Sequence, residues 1–202
     1  MKNLAIDLTP IRKYRDFRYL WTSGLISNLG SMITYVAIPF QVKELTNSYL
    51  AVGISGLVEL VPLIVFGLYG GVLADAVDRK KMIWMTEAAA AILSLILLLN
   101  ALSPEPKLYI IYIAGAAFAA VNGLHGPSAD AILPRVVGHK DILSAGALMS
   151  LRRQFGIIVG PTIGGILIAS YGVSTAFAVD VVSYIISLAI LIRVKKVPPS
   201  HE

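Results

Sequence analysis

Six runs with almost no charge divide the chain, at residues 20–42, 50–74, 82–102, 108–129, 151–170 and 175–192. A helix needs roughly 20 apolar residues to cross a hydrocarbon layer about 30 Å thick, and runs of this length predict six such helices. The runs are apolar around most of their circumference, the pattern of helices that meet lipid or one another on every side. Between them lie short polar breaks: Lys43 with Glu44, the charged turn at 75–81, Pro104 and Pro106 in 103–107, Asp130 to Arg135, and Tyr171 with Gly172. Neither proline of the third break can continue a helix interior, so that turn is sharp. The fifth run differs from the others because it is amphipathic from Asp141. It predicts a helix that begins along the membrane face and enters near residues 151–155. Connectors this short leave no soluble domain and imply an antiparallel bundle, an all-α membrane protein. The expected organisation is a basic segment at 1–19, the helical bundle at 20–192 and a tail at 193–202.

Composition agrees with that reading. Hydrophobic residues make up 56% and charged residues 14% of the 202 positions, and the mean hydropathy is +0.76. So little polar material cannot cover a soluble core. All Lys and Arg except Lys43 and Lys107 fall in clusters at 2–18, 79–81, 135–153 and 193–196. Cytoplasmic loops retain basic residues, so this alternation predicts a multi-pass protein of the inner, cytoplasmic membrane with both ends inside. The net charge of +5 comes from these loop clusters, which fit topology and anionic headgroups rather than nucleic acid. With no cysteine and no paired His or carboxylate ligands at metal spacing, no disulfide, metal or cofactor is expected. No Ser/His pair or carboxylate dyad suggests an enzyme. The first run is too long for a signal-peptide core and is expected to be retained.

A carboxylate in the middle of a bilayer costs at least about 2.5 to 3.5 kcal/mol on insertion scales. Glu59 falls near the centre of the second run and is therefore expected to face a cavity, find a partner or take up a proton. It is the proton-coupling candidate, with a neutral, hydrogen-bonded structural Glu as the equal alternative. Glu87 and Asp180 lie nearer the ends of their runs, shallow enough to be solvated; structural pairing is the expected role of each, with Arg152 or Arg153 as a partner for Glu87 or Asp130. His125 is expected to be simply hydrogen-bonded. Asn28, Tyr35 and Gln41 in the first run and Asn122 in the fourth offer hydrogen-bonding groups to a substrate. In the fifth run, Gly156, Gly160 and Gly164 recur every four residues, with Pro161 and Gly165 beside them. Glycines at that spacing share one helix face and let a neighbour approach closely.

The loop carrying Gly71, Asp75, Arg79 and Lys80 resembles the signature loop of the major facilitator superfamily, with Ala76 in place of the usual basic residue and Asp78 in place of the usual glycine. The run Gly156, Gly160, Pro161, Gly164, Gly165 is similar to the antiporter motif of that superfamily's exporters. Within that branch the chain resembles bacterial enterobactin exporters and macrolide efflux proteins over nearly its whole length. It departs from drug antiporters in having no Arg in the middle of the fourth run, around Asn122 to His125. The resemblance implies the N-terminal six-helix half of a twelve-helix bundle, built from inverted three-helix repeats. It further implies export of a siderophore such as enterobactin or of hydrophobic drugs, with the proton gradient as energy source. Asp75 and the basic pair would lock against the second half near the cytoplasm. The partners implied are the lipid bilayer, a small-molecule substrate and the missing C-terminal half, or a second copy. A truncated or split transporter is the favoured expectation; a non-transporting membrane interaction module is the alternative.

Overall fold

The computed structural model describes residues 7–76 and 78–195, and for 71–76 the backbone alone. Eight α-helices follow one another, with no strand among the described residues: α1 (Thr9–Lys13), α2 (Arg15–Thr46), α3 (Tyr49–Ala76), α4 (Arg79–Leu102), α5 (Leu108–Ala131), α6 (Leu133–Val136), α7 (Ile142–Tyr171) and α8 (Val173–Leu191). Six of them, α2 to α5, α7 and α8, are long and apolar enough to cross a membrane. At 1.5 Å per residue they run from about 28 Å for α8 to about 48 Å for α2, so several extend past the hydrocarbon layer. In the fifth span the amphipathic start and the apolar body form a single helix, Ile142–Tyr171, with Pro161 inside it.

Side-chain contacts fix the direction of each neighbour. Lys13 meets Asp141, Trp21 donates to the Leu148 carbonyl, and Gly156 and Gly160 face Asn28 and Met32. The residue offset stays near 128, so α2 and α7 run parallel. Tyr112 donates to the Ala51 carbonyl, Glu59 faces Gly115, and Gly70 meets Gly123, which makes α3 and α5 parallel too. By contrast Ser31 pairs with Tyr184 and Thr34 with Asp180, and Ser94 with Asp180 and Ser187 with Glu87. These pairs descend on one helix as they climb on the other, so α8 is antiparallel to both α2 and α4. Exchanging the first three long helices with the last three turns the α2/α7 contact into α5/α3 and the α2/α8 contact into α5/α4. That exchange is the one expected of nested inverted repeats.

The helices approach through small residues. The buried face of α2 includes Ser23, Ser27, Gly30, Thr34 and Ala37, at alternating steps of four and three. It meets Ala176, Asp180, Ser183 and Ser187 of α8. Lipid offers no hydrophobic drive for helices to associate, so close van der Waals contact and interhelical hydrogen bonds hold such a seam. A larger apolar cluster, centred on Phe118, Phe177, Leu97 and Ile111, closes the end of the bundle away from the α3–α4 turn.

Candidate functional site

The turn into α4 ties three helix ends together. Asp78 accepts from the Lys81 amide at 3.0 Å and caps the first turn of α4. Arg79, nearly buried, donates to the Ala131 carbonyl at 2.9 Å at the end of α5. Lys80 donates to the carbonyls of Ile192 and Val194 beyond α8. The last carbonyls of a helix lack intrahelical partners and carry partial negative charge, so two cations placed there satisfy both needs. Arg79 and Lys80 thus engage this bundle's own helix ends. The side chains of Gly71 and Asp75 lie outside the described residues. The basic segments meet at the same end: Lys13 forms an ion pair with Asp141 at 2.8 Å, and Asp7 accepts from Ser144 at 2.7 Å. The Thr9 side chain first, then its amide and Ser144, hold the Asp7 carboxyl below the usual carboxylate range.

On α7, the glycine run selects α2 as its neighbour. A Cβ at Gly156 would run into the Asn28 amide; at Gly160 it would strike the Met32 side chain; at Gly164 it would lie 3.2 Å from the Ile33 Cα. Gly165 points away, with nothing within 4 Å. Pro161 remains inside the helix. A second glycine seam was not legible beforehand. A Cβ on Gly123 of α5 would sit 2.7 Å from the Gly67 amide nitrogen, and one on Gly70 would sit 2.7 Å from the Gly123 carbonyl. Its sequence signal is weak: Gly115, Ala119 and Gly123, small at every fourth position of α5.

Between these seams lies a cavity of about 520 Å³. Four of the sequence candidates line it: Asn28, Tyr35, Glu59 and Asn122. Gln41 does not. It is 2% exposed, seven residues past Thr34 on the face that α2 buries. Glu59 is half-buried against the notch at Gly115, where an added Cβ would lie 2.9 Å from its Oε1. Among the described residues no group hydrogen-bonds it. The cavity wall also includes groups that the sequence did not mark as cargo contacts, among them Thr86 and Glu87 of α4, His125 of α5, Arg152 of α7 and Tyr184 of α8.

Glu87 and Asp180 were expected in structural pairs at a solvated depth; both are hydrogen-bonded to facing helices, and the structure corrects the solvation. Glu87 is 2% exposed and Asp180 0%. Distance along a helix axis does not set solvation when three helices close over the side chain. Glu87 accepts from Ser27 at 3.0 Å and from Ser187. Asp180 accepts from Thr34 at 2.6 Å and Ser94 at 2.7 Å. Leaving such an acceptor unsatisfied would cost about 1 to 3 kcal/mol, which explains the serines and threonine on the facing helices. Of the expected arginine pairings, the one formed is Arg153 with Asp130, at 3.3 Å on the exposed surface. His125 Nδ1 shares a 2.9 Å hydrogen bond with Thr86.

Residues 5–202 match the family described as transmembrane secretion effector, of the major facilitator superfamily. The enterobactin exporter EntS of Shigella boydii is 32% identical to the chain over 197 residues, which cover 98% of this chain and 47% of that protein. The proteins of the same name from Escherichia coli and Citrobacter koseri are 31% identical over the same shares. The chain therefore spans about half the length of the curated relatives it matches. Six spanning helices, parallel seams packed through glycine, a cavity between them and a family match over almost every residue lead to one assignment: the chain belongs to the transmembrane secretion effector family of the major facilitator superfamily.

Proposed function

We propose that the chain acts as the N-terminal six-helix half of a proton-driven exporter in the bacterial inner membrane, with a catecholate siderophore such as enterobactin, or a hydrophobic drug, as cargo. The single observation that carries this reading is the 520 Å³ cavity, lined by polar groups from all six spanning helices. A volume of that order suits a drug-sized ligand, with few polar groups to orient it. The names of the relatives favour the siderophore. Glu59 is the coupling candidate because it is the cavity carboxylate with no hydrogen-bond donor of its own.

A half acting with a second six-helix unit is favoured over a self-sufficient transporter by the unequal burial of the spans. Within the apolar windows, α3 is 11% buried and α7 22%, against 44% for α2. These flanks are the surfaces that a second half, or a second copy, would cover. Efflux from proteoliposomes tests the proposal. Proton-dependent export of enterobactin is expected when the chain is reconstituted with a separately expressed C-terminal half. No export in either arrangement would favour the interaction-module reading. In the active arrangement Glu59→Gln is expected to reduce proton-driven export at least tenfold, and unchanged export would make Glu59 structural.

A further inference from the structure

Arg152 occupies the position four residues before Gly156 on α7, so it continues the face that Gly160 and Gly164 present to α2. Where the later positions are glycine, this one is the longest cationic side chain available. Room for it comes from the other helix: a Cβ at Gly24 of α2 would overlap the guanidinium, lying 2.7 Å from Cζ. The notch places a delocalised cation on the cavity wall, beside the Thr86–His125 pair.

Its donors are poorly used there. One Nη donates to the Leu20 carbonyl at 3.2 Å, and among the described residues the buried Nε has no hydrogen-bond partner. No carboxylate of the described residues lies within ion-pair distance of it. Glu87, on the same wall, is held by Ser27 and Ser187 instead, while Arg153, the next residue, is spent on Asp130. A guanidinium presents its N–H groups as a planar fork that matches two adjacent oxygens. A carboxylate offers such a pair.

We propose that Arg152 is an anion-docking residue for the cargo, binding a carboxylate through its fork in the notch opposite Gly24. The assignment rests on the exporter reading for its biological meaning, but the binding itself is measurable without transport.

The test is calorimetric titration of the full 202-residue chain in neutral detergent at pH 7 with 2,3-dihydroxybenzoate and with 2,3-dihydroxybenzamide, which keeps the catechol and removes the carboxylate charge. The acid is expected to bind at least tenfold tighter than the amide. Arg152→Gln should reduce that preference to less than twofold, whereas Arg153→Gln should leave it intact. If the glutamine variant fails to fold, Arg152→Lys reads the same point: it keeps the charge and loses the fork, so acid affinity should fall several-fold with the amide unchanged. Equal affinity for the two probes, absence of binding, or an acid preference that survives both Arg152 substitutions would overturn the proposal. Loss of acid binding on adding phosphatidylglycerol to the micelles would assign the notch to a lipid phosphate and equally overturn cargo docking. Acid-selective binding without any efflux removes the exporter and leaves the subsite, and efflux with indifferent binding does the reverse.

Discussion

The two parallel seams, α2 on α7 and α3 on α5, occupy equivalent places in the bundle and are filled in opposite ways. At the first, glycines of one helix receive side chains of the other: Asn28 against Gly156, Met32 against Gly160. At the second, backbone meets backbone, with Gly123 of α5 against the Gly67 amide and the Leu63 carbonyl of α3. The Asn28 amide can shift by a rotamer, whereas a backbone pair can only separate. The first seam can therefore carry chemistry, and it does: Asn28 lines the cavity there, and Arg152 stands at its next position toward the basic end. The second seam sets how near α3 lies to α5, and with it how far Glu59 reaches toward Gly115.

The largest effect is expected at Gly123. Its Cβ would lie 2.7 to 3.0 Å from backbone atoms of α3, and none of these can move without the whole helix. Gly123→Leu should destabilise the bundle by about 3 kcal/mol or more, at or above the upper end of overpacking costs. Thermal or SDS unfolding in detergent measures this. A stability within about 0.5 kcal/mol of the parent would mean that α3 and α5 separate at no cost, and the distinction between the seams would fail.

Gly156→Leu should cost less stability, about 1 to 2 kcal/mol, because the nearest obstacle is the amide at the flexible end of the Asn28 side chain. Its effect on function should be larger than its effect on folding. Holding α2 off α7 displaces Asn28 and Gly24 together, and export by the reconstituted pair of halves is expected to vanish while the variant still inserts. Retained export would reduce the glycine run to a packing convenience.

The unequal legibility of the two seams follows from where their glycines sit. On α7 the signal lies within one helix, three glycines at steps of four with Pro161 beside them, so a single stretch of sequence displays the whole face. The α3/α5 seam is written across Gly67, Gly70 and Gly123, and only the fold brings those positions together. The same limit hid the cavity's charged wall. The number of the spans was readable, because apolar runs are a local property. Arg152 reads as one more basic residue at a membrane border until Gly24, 128 positions earlier, is seen to make room for it. Gln41 was misplaced for a related reason: polarity marks a side chain that needs a partner, but whether it faces the cavity is decided by how α2 packs.

The smallest effect separates the two glycines at the end of the α7 run. Gly164 is buried against Ile33, whereas Gly165 is exposed and meets nothing within 4 Å. Alanine is favoured over glycine inside a helix by about 0.5 to 1 kcal/mol, because less backbone freedom is lost on folding. At Gly165 no contact opposes that gain, so Gly165→Ala should leave stability unchanged or raise it slightly. Gly164→Ala brings its Cβ to 3.2 Å from the Ile33 Cα, and the same propensity gain should be cancelled or reversed. Comparing the two unfolding midpoints in detergent isolates the contact from the propensity, since both substitutions add one methyl group at neighbouring positions of one helix. Equal midpoints would show that α2 does not press on α7 at this level. A lower midpoint for Gly165→Ala would mean that the open face of α7 is already covered, by a second copy of the chain.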